Sequence, residues 1–240
     1  MTDVPHHLKP DETRRMNLGR MAAVWLTLLA AMGMVGLICL ATMPTRSADS
    51  GKSDGEASEW SADALLESLI RTDDLTPVRN WKYLVIHHSA TRSATLEAIE
   101  RWHRETLHTD DAGYHFVINN GRAEGTRDGE ITPTTRWLEQ RAGAHCHVAG
   151  RPEFNEQGIG ICLVGHFNRE QPTAAQMASL EALTAALADR YHIPLEHVVG
   201  HGELKNTECP GTLFPMRTFL WELRQTMLAQ CLRQTAAEKP

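Results

Sequence analysis

Residues 158–165 read Gly-Ile-Gly-Ile-Cys-Leu-Val-Gly, with no charge and no strongly polar side chain. Alternate residues of a strand face opposite sides. Here both sides are apolar, so neither face suits water, and the segment reads as a strand buried within a sheet covered on both faces. The rest of the pattern agrees with an α/β architecture, a central sheet flanked by helices.

Lys82 to His88 has the length and β-branched content of a strand, with Pro77 ahead of it. Ala94 to Leu107 reads as a helix that sets Leu96, Ile99, Trp102 and His103 along one side, as core rather than site. Gly113 to Ile118 reads as a strand, Asn119-Asn120-Gly121-Arg122 as a hairpin turn, and Ala123 to Thr126 as the returning partner. Residues 127–157 read as loop-rich. Thr173 opens a long helix with Gln176 completing a capping box, and Leu180, Leu183, Leu187 and Tyr191 follow. Val198-Val199 is a short strand leading into a loop that carries His201, and Phe214 to about Leu232 is a final amphipathic helix.

The N-terminal part has a different character. Met21 to Met43 contains no charge and exceeds the roughly 20 residues a helix needs to cross a bilayer. It is longer than the apolar core of a cleaved signal, about 7–15 residues, and Thr42-Met43-Pro44-Thr45-Arg46 offers no good cleavage site. An uncleaved transmembrane helix is expected over 21–43. Lys9, Arg14, Arg15 and Arg20 precede it, whereas only Arg46 and Lys52 follow closely. Residues 1–20 therefore read as a cytoplasmic tail, and the body lies across the inner (cytoplasmic) membrane, on the periplasmic side of a single-pass protein. Residues 44–76 read as a linker and short prelude helix. The first part, 44–59, is rich in Ser, Asp, Glu and Gly and would reach roughly 20–25 Å as a coil. Ser61 then caps a stretch with Leu65, Leu66, Leu69 and Ile70 at helical spacing. The folded domain is expected over 77–235.

The net charge of −6 and the lack of a basic patch with interleaved aromatics argue against a nucleic-acid partner. The five cysteines, Cys39, Cys146, Cys162, Cys209 and Cys231, are scattered and odd in number. They suggest no disulfide framework, with one Cys146–Cys162 bridge left open.

Two separated segments carry chemistry. Leu84-Val85-Ile86-His87-His88 ends an apolar run in two imidazoles, and His201 and Cys209 lie eight positions apart (209 − 201) around a turn. Two nitrogens and one thiolate with a fourth position open is the donor set of a catalytic zinc rather than a structural one. His87 and His88 point to opposite faces of a regular strand, so at most one is a ligand and the other packs or supports.

An ordered set of motifs adds to this reading. It runs Val85-Ile86-His87-x-Ser89-Ala90-Thr91, Trp102-His103, Gly113-Tyr114-His115-Phe116, Glu124-Gly125-x-Arg127, Ala144-His145, Asn155 ahead of Gly158-Ile159-Gly160-Ile161, and His201-x7-Cys209-Pro210. Over about residues 78 to 222 the chain resembles the type 2 N-acetylmuramoyl-L-alanine amidases of the peptidoglycan recognition protein superfamily. The resemblance implies a central mixed β-sheet flanked by helices and a zinc ion held by His87, His201 and Cys209. It implies Tyr114 and Thr207 as catalytic residues, with Arg127, His145 and Asn155 at the substrate groove. His145 is expected either to bind substrate or to support a ligand. Gly158 departs from the pattern, standing where many relatives have Ser. The activity implied is zinc-dependent hydrolysis of the amide between N-acetylmuramic acid and L-alanine in peptidoglycan. A peptidoglycan-binding sensor without turnover is the alternative, and a cysteine hydrolase built on Cys209 is a third reading.

Overall fold

The computed structural model describes residues 62–72 and 78–237. The expected cytoplasmic tail, transmembrane helix, linker and Ser61 cap lie outside the described residues. Among the described residues no helix is long and apolar enough to cross a membrane.

Five strands form one mixed sheet: β1 (Tyr83–His88), β2 (Phe116–Asn120), β3 (Asp128–Pro133), β4 (Gly158–Leu163) and β5 (Val198–Gly200). Their order is β3-β2-β4-β1-β5. Only β2 and β3 are antiparallel; β2–β4, β4–β1 and β1–β5 run parallel. β4 is the middle strand, and all six of its residues are buried. That is the reason its sequence has no polar face. Ile159, Ile161 and Leu163 are fully buried, and each such side chain contributes about 1.5–3 kcal/mol.

One face of the sheet carries the larger core. Leu84, Ile86, Phe116, Ile118, Ile159 and Ile161 meet apolar residues of two long helices, α5 (Ala174–Tyr191) and α7 (Met216–Ala237). The capping box at the start of α5 forms as expected: Thr173 Oγ1 accepts from Gln176 N–H at 3.0 Å, and Gln176 Oε1 accepts from Thr173 N–H at 3.2 Å. A short helix α1 (Ala62–Ile70) docks here too, with Ile70 fully buried and Leu69 O accepting from Trp137 Nε1–H at 3.2 Å. The opposite face is covered by a smaller cluster, Ile99, Ala112, Val117 and Val164, under helix α2 (Leu96–Trp102).

Three expectations need correction. The hairpin is longer than the Asn-Gly pair suggests. Asn119 and Asn120 belong to β2 and are buried, and the returning strand is β3 at Asp128–Pro133 rather than Ala123–Thr126. The asparagines fit inside because their side chains find partners: Asn119 Nδ2–H donates to Thr132 Oγ1 at 3.1 Å and Asn120 Nδ2–H to Arg92 O at 2.9 Å. Gly121, at φ +66°, makes the turn. Second, the helix from Ala94 is capped by Thr95 and becomes a π-turn over His103–Leu107. Third, Trp102 is 53% exposed while His103 is buried, since consecutive helical residues project about 100° apart and cannot both face the sheet. Three short helices complete the domain: α3 (Thr135–Leu138), α4 (Glu153–Glu156) and α6 (His201–Leu204).

Candidate metal centre

The parallel register brings the histidines together. Ile86 of β1 lies opposite Gly200, the last residue of β5. The next residues, His87 and His201, are therefore neighbours at the carboxyl end of the sheet, where open α/β sheets bind their ligands. Their ring centroids are 4.6 Å apart. His201 starts α6, and the following turn folds back so that Gly202 N–H donates to Cys209 O at 2.6 Å. A side chain at Gly202 would put Cβ 2.8 Å from Thr207 O, so the turn requires glycine there. The ligand atoms of His87, His201 and Cys209 all lie within 4.8 Å of one another. Cys209 Sγ is 3.6 Å from His87 Nδ1 and also accepts from His88 N–H at 3.4 Å.

His88 faces away from this cluster. Its Nδ1 accepts from Phe167 N–H at 3.1 Å, and its ring lies beside His166 and Phe167. Packing thus separates the pair: His88 lies against His166 and Phe167, and His87 faces His201 and Cys209.

A chain of hydrogen bonds fixes the tautomer of His87. The Gly158 carbonyl can only accept, so His145 Nε2, 3.0 Å away, carries the proton. The neutral His145 ring then offers its Nδ1 lone pair to His87 Nε2, at 3.1 Å. His87 must donate from Nε2, which leaves its Nδ1 lone pair pointing toward Cys209. Space for the His145 ring comes from two glycines: a Cβ at Gly160 or Gly143 would lie 2.4 Å from His145 Cδ2.

The electrostatics favour neutral donors. Burial lowers His87 well below the ordinary imidazole range, helped by His145 and His201. Burial and the Lys205 charge bring His201 to about 4, and burial brings His145 to about 4. Burial pushes the Cys209 thiol up to about 12, against the opposing His88 N–H. His201 Nε2 is buried and has no hydrogen-bond partner among the described residues, as expected of a nitrogen reserved for a ligand. Two imidazoles and a sulfur suit a borderline-soft divalent ion, and the residues present fit one.

Residues 77–212, more than half of the chain and the whole of this centre, match the family model described as N-acetylmuramoyl-L-alanine amidase. The chain belongs to the type 2 N-acetylmuramoyl-L-alanine amidase family. It is 29% identical over 191 residues to peptidoglycan-recognition protein SC2 of Drosophila melanogaster, covering 75% of this chain and 92% of that protein. It is 29% identical to the N-acetylmuramoyl-L-alanine amidase of Sus scrofa over 56% of this chain and 22% of that protein. Among solved structures it resembles the amidase LysC of Clostridium intestinale, with 31% identity, TM-score 0.52, and coverage of 62% of this chain and 91% of that one.

The other residues expected at a type 2 amidase site take different positions. Tyr114 lies beside the centre, its ring 5.1 Å from that of His87. Burial first, then the Cys162 and Cys209 thiols, raise its phenol well above the usual range. It also lines a pocket of about 190 Å³ with Ser89, Thr91, Trp102 and His103. Thr207 is exposed in the His201–Cys209 turn, and its Oγ1 accepts from Cys209 N–H at 3.3 Å. His145 is buried behind His87, with its Nδ1 3.1 Å from His87 Nε2. Asn155 holds the His145 loop, because its Oδ1 accepts from the backbone N–H of His145 at 3.1 Å and of Cys146 at 2.9 Å. Arg127 is not brought to the centre. It lies 3.6 Å from Glu130 and lines a separate groove of about 640 Å³ beneath α1.

Cys162 was not among the expected site residues. It lies opposite His87 in the β1–β4 register, and its buried thiol lies toward the carbonyl of Leu163 at 3.8 Å. Its signal in the sequence was its phase: it shares a side of β4 with Gly160, which makes room for His145. Cys146 and Cys162 are both free thiols.

Proposed function

We propose that this chain hydrolyses the amide between N-acetylmuramic acid and L-alanine in peptidoglycan, with zinc held by His87, His201 and Cys209. The observation that carries the reading is the convergence of these three donors, one tautomer already fixed, in a chain of the amidase family. Zinc bound there would act as a Lewis acid toward the scissile carbonyl and lower the pKa of a bound water to about 7.

The chain's own residues supply the rest. Tyr114 stays protonated at any working pH because its phenol is raised. It can therefore donate a hydrogen bond to the oxygen that gains negative charge during attack. The Thr207 oxygen is engaged by Cys209 N–H, which leaves its hydroxyl proton free to donate at the mouth of the centre. His145 and the Gly158 carbonyl hold His87 in its ligating tautomer. The domain would be displayed on the outer side of the inner membrane, anchored by Met21–Met43, a placement supported by the basic residues ahead of that charge-free run.

The test is digestion of purified sacculi by the zinc-loaded protein, followed by mass spectrometry of the released stem peptides. Free peptides that begin with L-alanine are expected, and their loss in His201→Ala along with the bound zinc. Intact sacculi that nevertheless retain the protein would favour the second reading, a sensor without turnover. That reading draws support from relatives named for recognition rather than cleavage.

A further inference from the structure

We propose that the outward face of α7 is the seam of a parallel two-helix coiled coil through which two copies of this chain pair. The inward face of α7 is occupied: Phe219 and Leu223 are buried, and Leu220 and Met227 pack against the core. The outward face carries Trp221, Leu228 and Leu232, which are 63%, 54% and 69% exposed. With Thr218, Gln225 and Thr235, all exposed, they fall at steps of three, four, three, four and three. This is the a/d spacing of a coiled coil, sustained for about 25 Å along the helix.

Charge selects the partner and its direction. In this register Arg217 is a g position and Glu222 the e position five residues on. Parallel pairing sets Arg217 of each copy against Glu222 of the other, twice by symmetry. Neither residue has an ion-pair partner among the described residues. Antiparallel pairing of the same six positions would instead set Glu222 opposite Ala229 and Arg224 opposite Cys231 of the second copy, so the Arg217–Glu222 pair forms only in the parallel arrangement. Gln225 lies within the seam, where a polar residue fixes register by meeting its own copy. The strip is also narrow, bordered at once by Arg217, Glu222 and Arg224. A single facing helix fits such a strip, whereas a helix lying in a lipid surface presents a broader apolar face.

The experiment uses the full chain in density-matched detergent, with mass read by sedimentation equilibrium. A dimer is expected, with Leu228→Asp weakening it at least tenfold. Position 228 is exposed in the single chain, so the thermal melt of the variant should show an intact fold. Arg217→Glu should weaken the dimer several-fold, and adding Glu222→Arg to it should restore most of the loss. Leu228→Cys, placed in a chain that also carries Cys39→Ser and Cys231→Ser, should cross-link to its own copy on oxidation. A monomer, a dimer indifferent to Leu228→Asp, or a charge reversal that is not rescued would each overturn the proposal. So would quenching of a fluorophore at that cysteine by brominated lipid, which would assign the face to the bilayer.

Discussion

His145 Nδ1 lies 3.1 Å from His87 Nε2, and this contact determines which nitrogen of His87 remains for a metal. His145 is itself held by the Gly158 carbonyl. Replacing it with Ala removes the acceptor and frees the His87 ring to take either tautomer. Such supporting contacts are typically worth 10–100-fold in metal affinity. His145→Ala should therefore bind zinc about 10–100-fold more weakly in competition with a chromophoric chelator, with excess zinc restoring part of the activity. Unchanged affinity would show that the relay has no hold on the centre.

Zinc binding should release about one proton near pH 6 and approach two above about pH 8, where the bound water of pKa about 7 also ionises. Both imidazoles are held well below their ordinary value, with His201 at about 4, so they enter the complex already neutral. The Cys209 thiol, pushed up to about 12, enters protonated and must lose its proton to become a ligand. Affinity should then rise about tenfold per pH unit below about pH 7, a slope of the one thiol proton, and more steeply above it as the bound water ionises. Calorimetry in two buffers of different ionisation enthalpy would count the protons. A count near zero would mean that the thiol is either already ionised or not a ligand.

The parts of this site that could be read from sequence were those set by periodicity. The apolar run of β4 located the sheet centre, and the alternation of β1 meant that only one of His87 and His88 could face a metal. What periodicity could not supply was the join between Ile86 and Gly200, which depends on strand order and register and brings His201 beside His87. The family resemblance supplied that step. The hairpin was misplaced for a local reason, since Asn119 and Asn120 look like turn residues until Thr132 and Arg92 are seen to satisfy them. Arg127 sat in a matching motif, yet its guanidinium lies beside Glu130, away from the centre.

The metal-free protein should lose stability as pH falls below about 6.5. His88, His145 and His201 are brought to about 4 by burial, and His87 and His115 are also lowered. An imidazole with a folded pKa below its unfolded value of about 6.5 favours folding while neutral, and that contribution is lost as the unfolded chain takes up protons first. The urea midpoint of the apo protein should be flat between about pH 7 and 8, decline steadily from 6.5 toward 4.5, and fall again above about 8.5, where the unfolded chain loses thiol protons that the fold retains at Cys146, Cys162 and Cys209. A midpoint that held constant over that interval would mean that the buried rings are protonated in the fold or already exposed.

Tyr114→Phe separates transition-state stabilisation from metal binding. The phenyl ring keeps the packing against His87 and His103, and no metal donor is removed. Only the hydroxyl, whose pKa the Cys162 thiol helps to raise, is lost. If it donates to the developing oxyanion, turnover should fall about 10²–10³-fold, with little change in KM or zinc content. A parallel change, Cys162→Ala, removes the thiol that helps to raise the phenol and leaves the hydroxyl, so it should cost much less turnover than Tyr114→Phe. If the two variants lose activity equally, the hydroxyl acts through its contact with Cys162 rather than on the substrate. If Tyr114→Phe retains full turnover, the oxyanion is stabilised elsewhere in the centre.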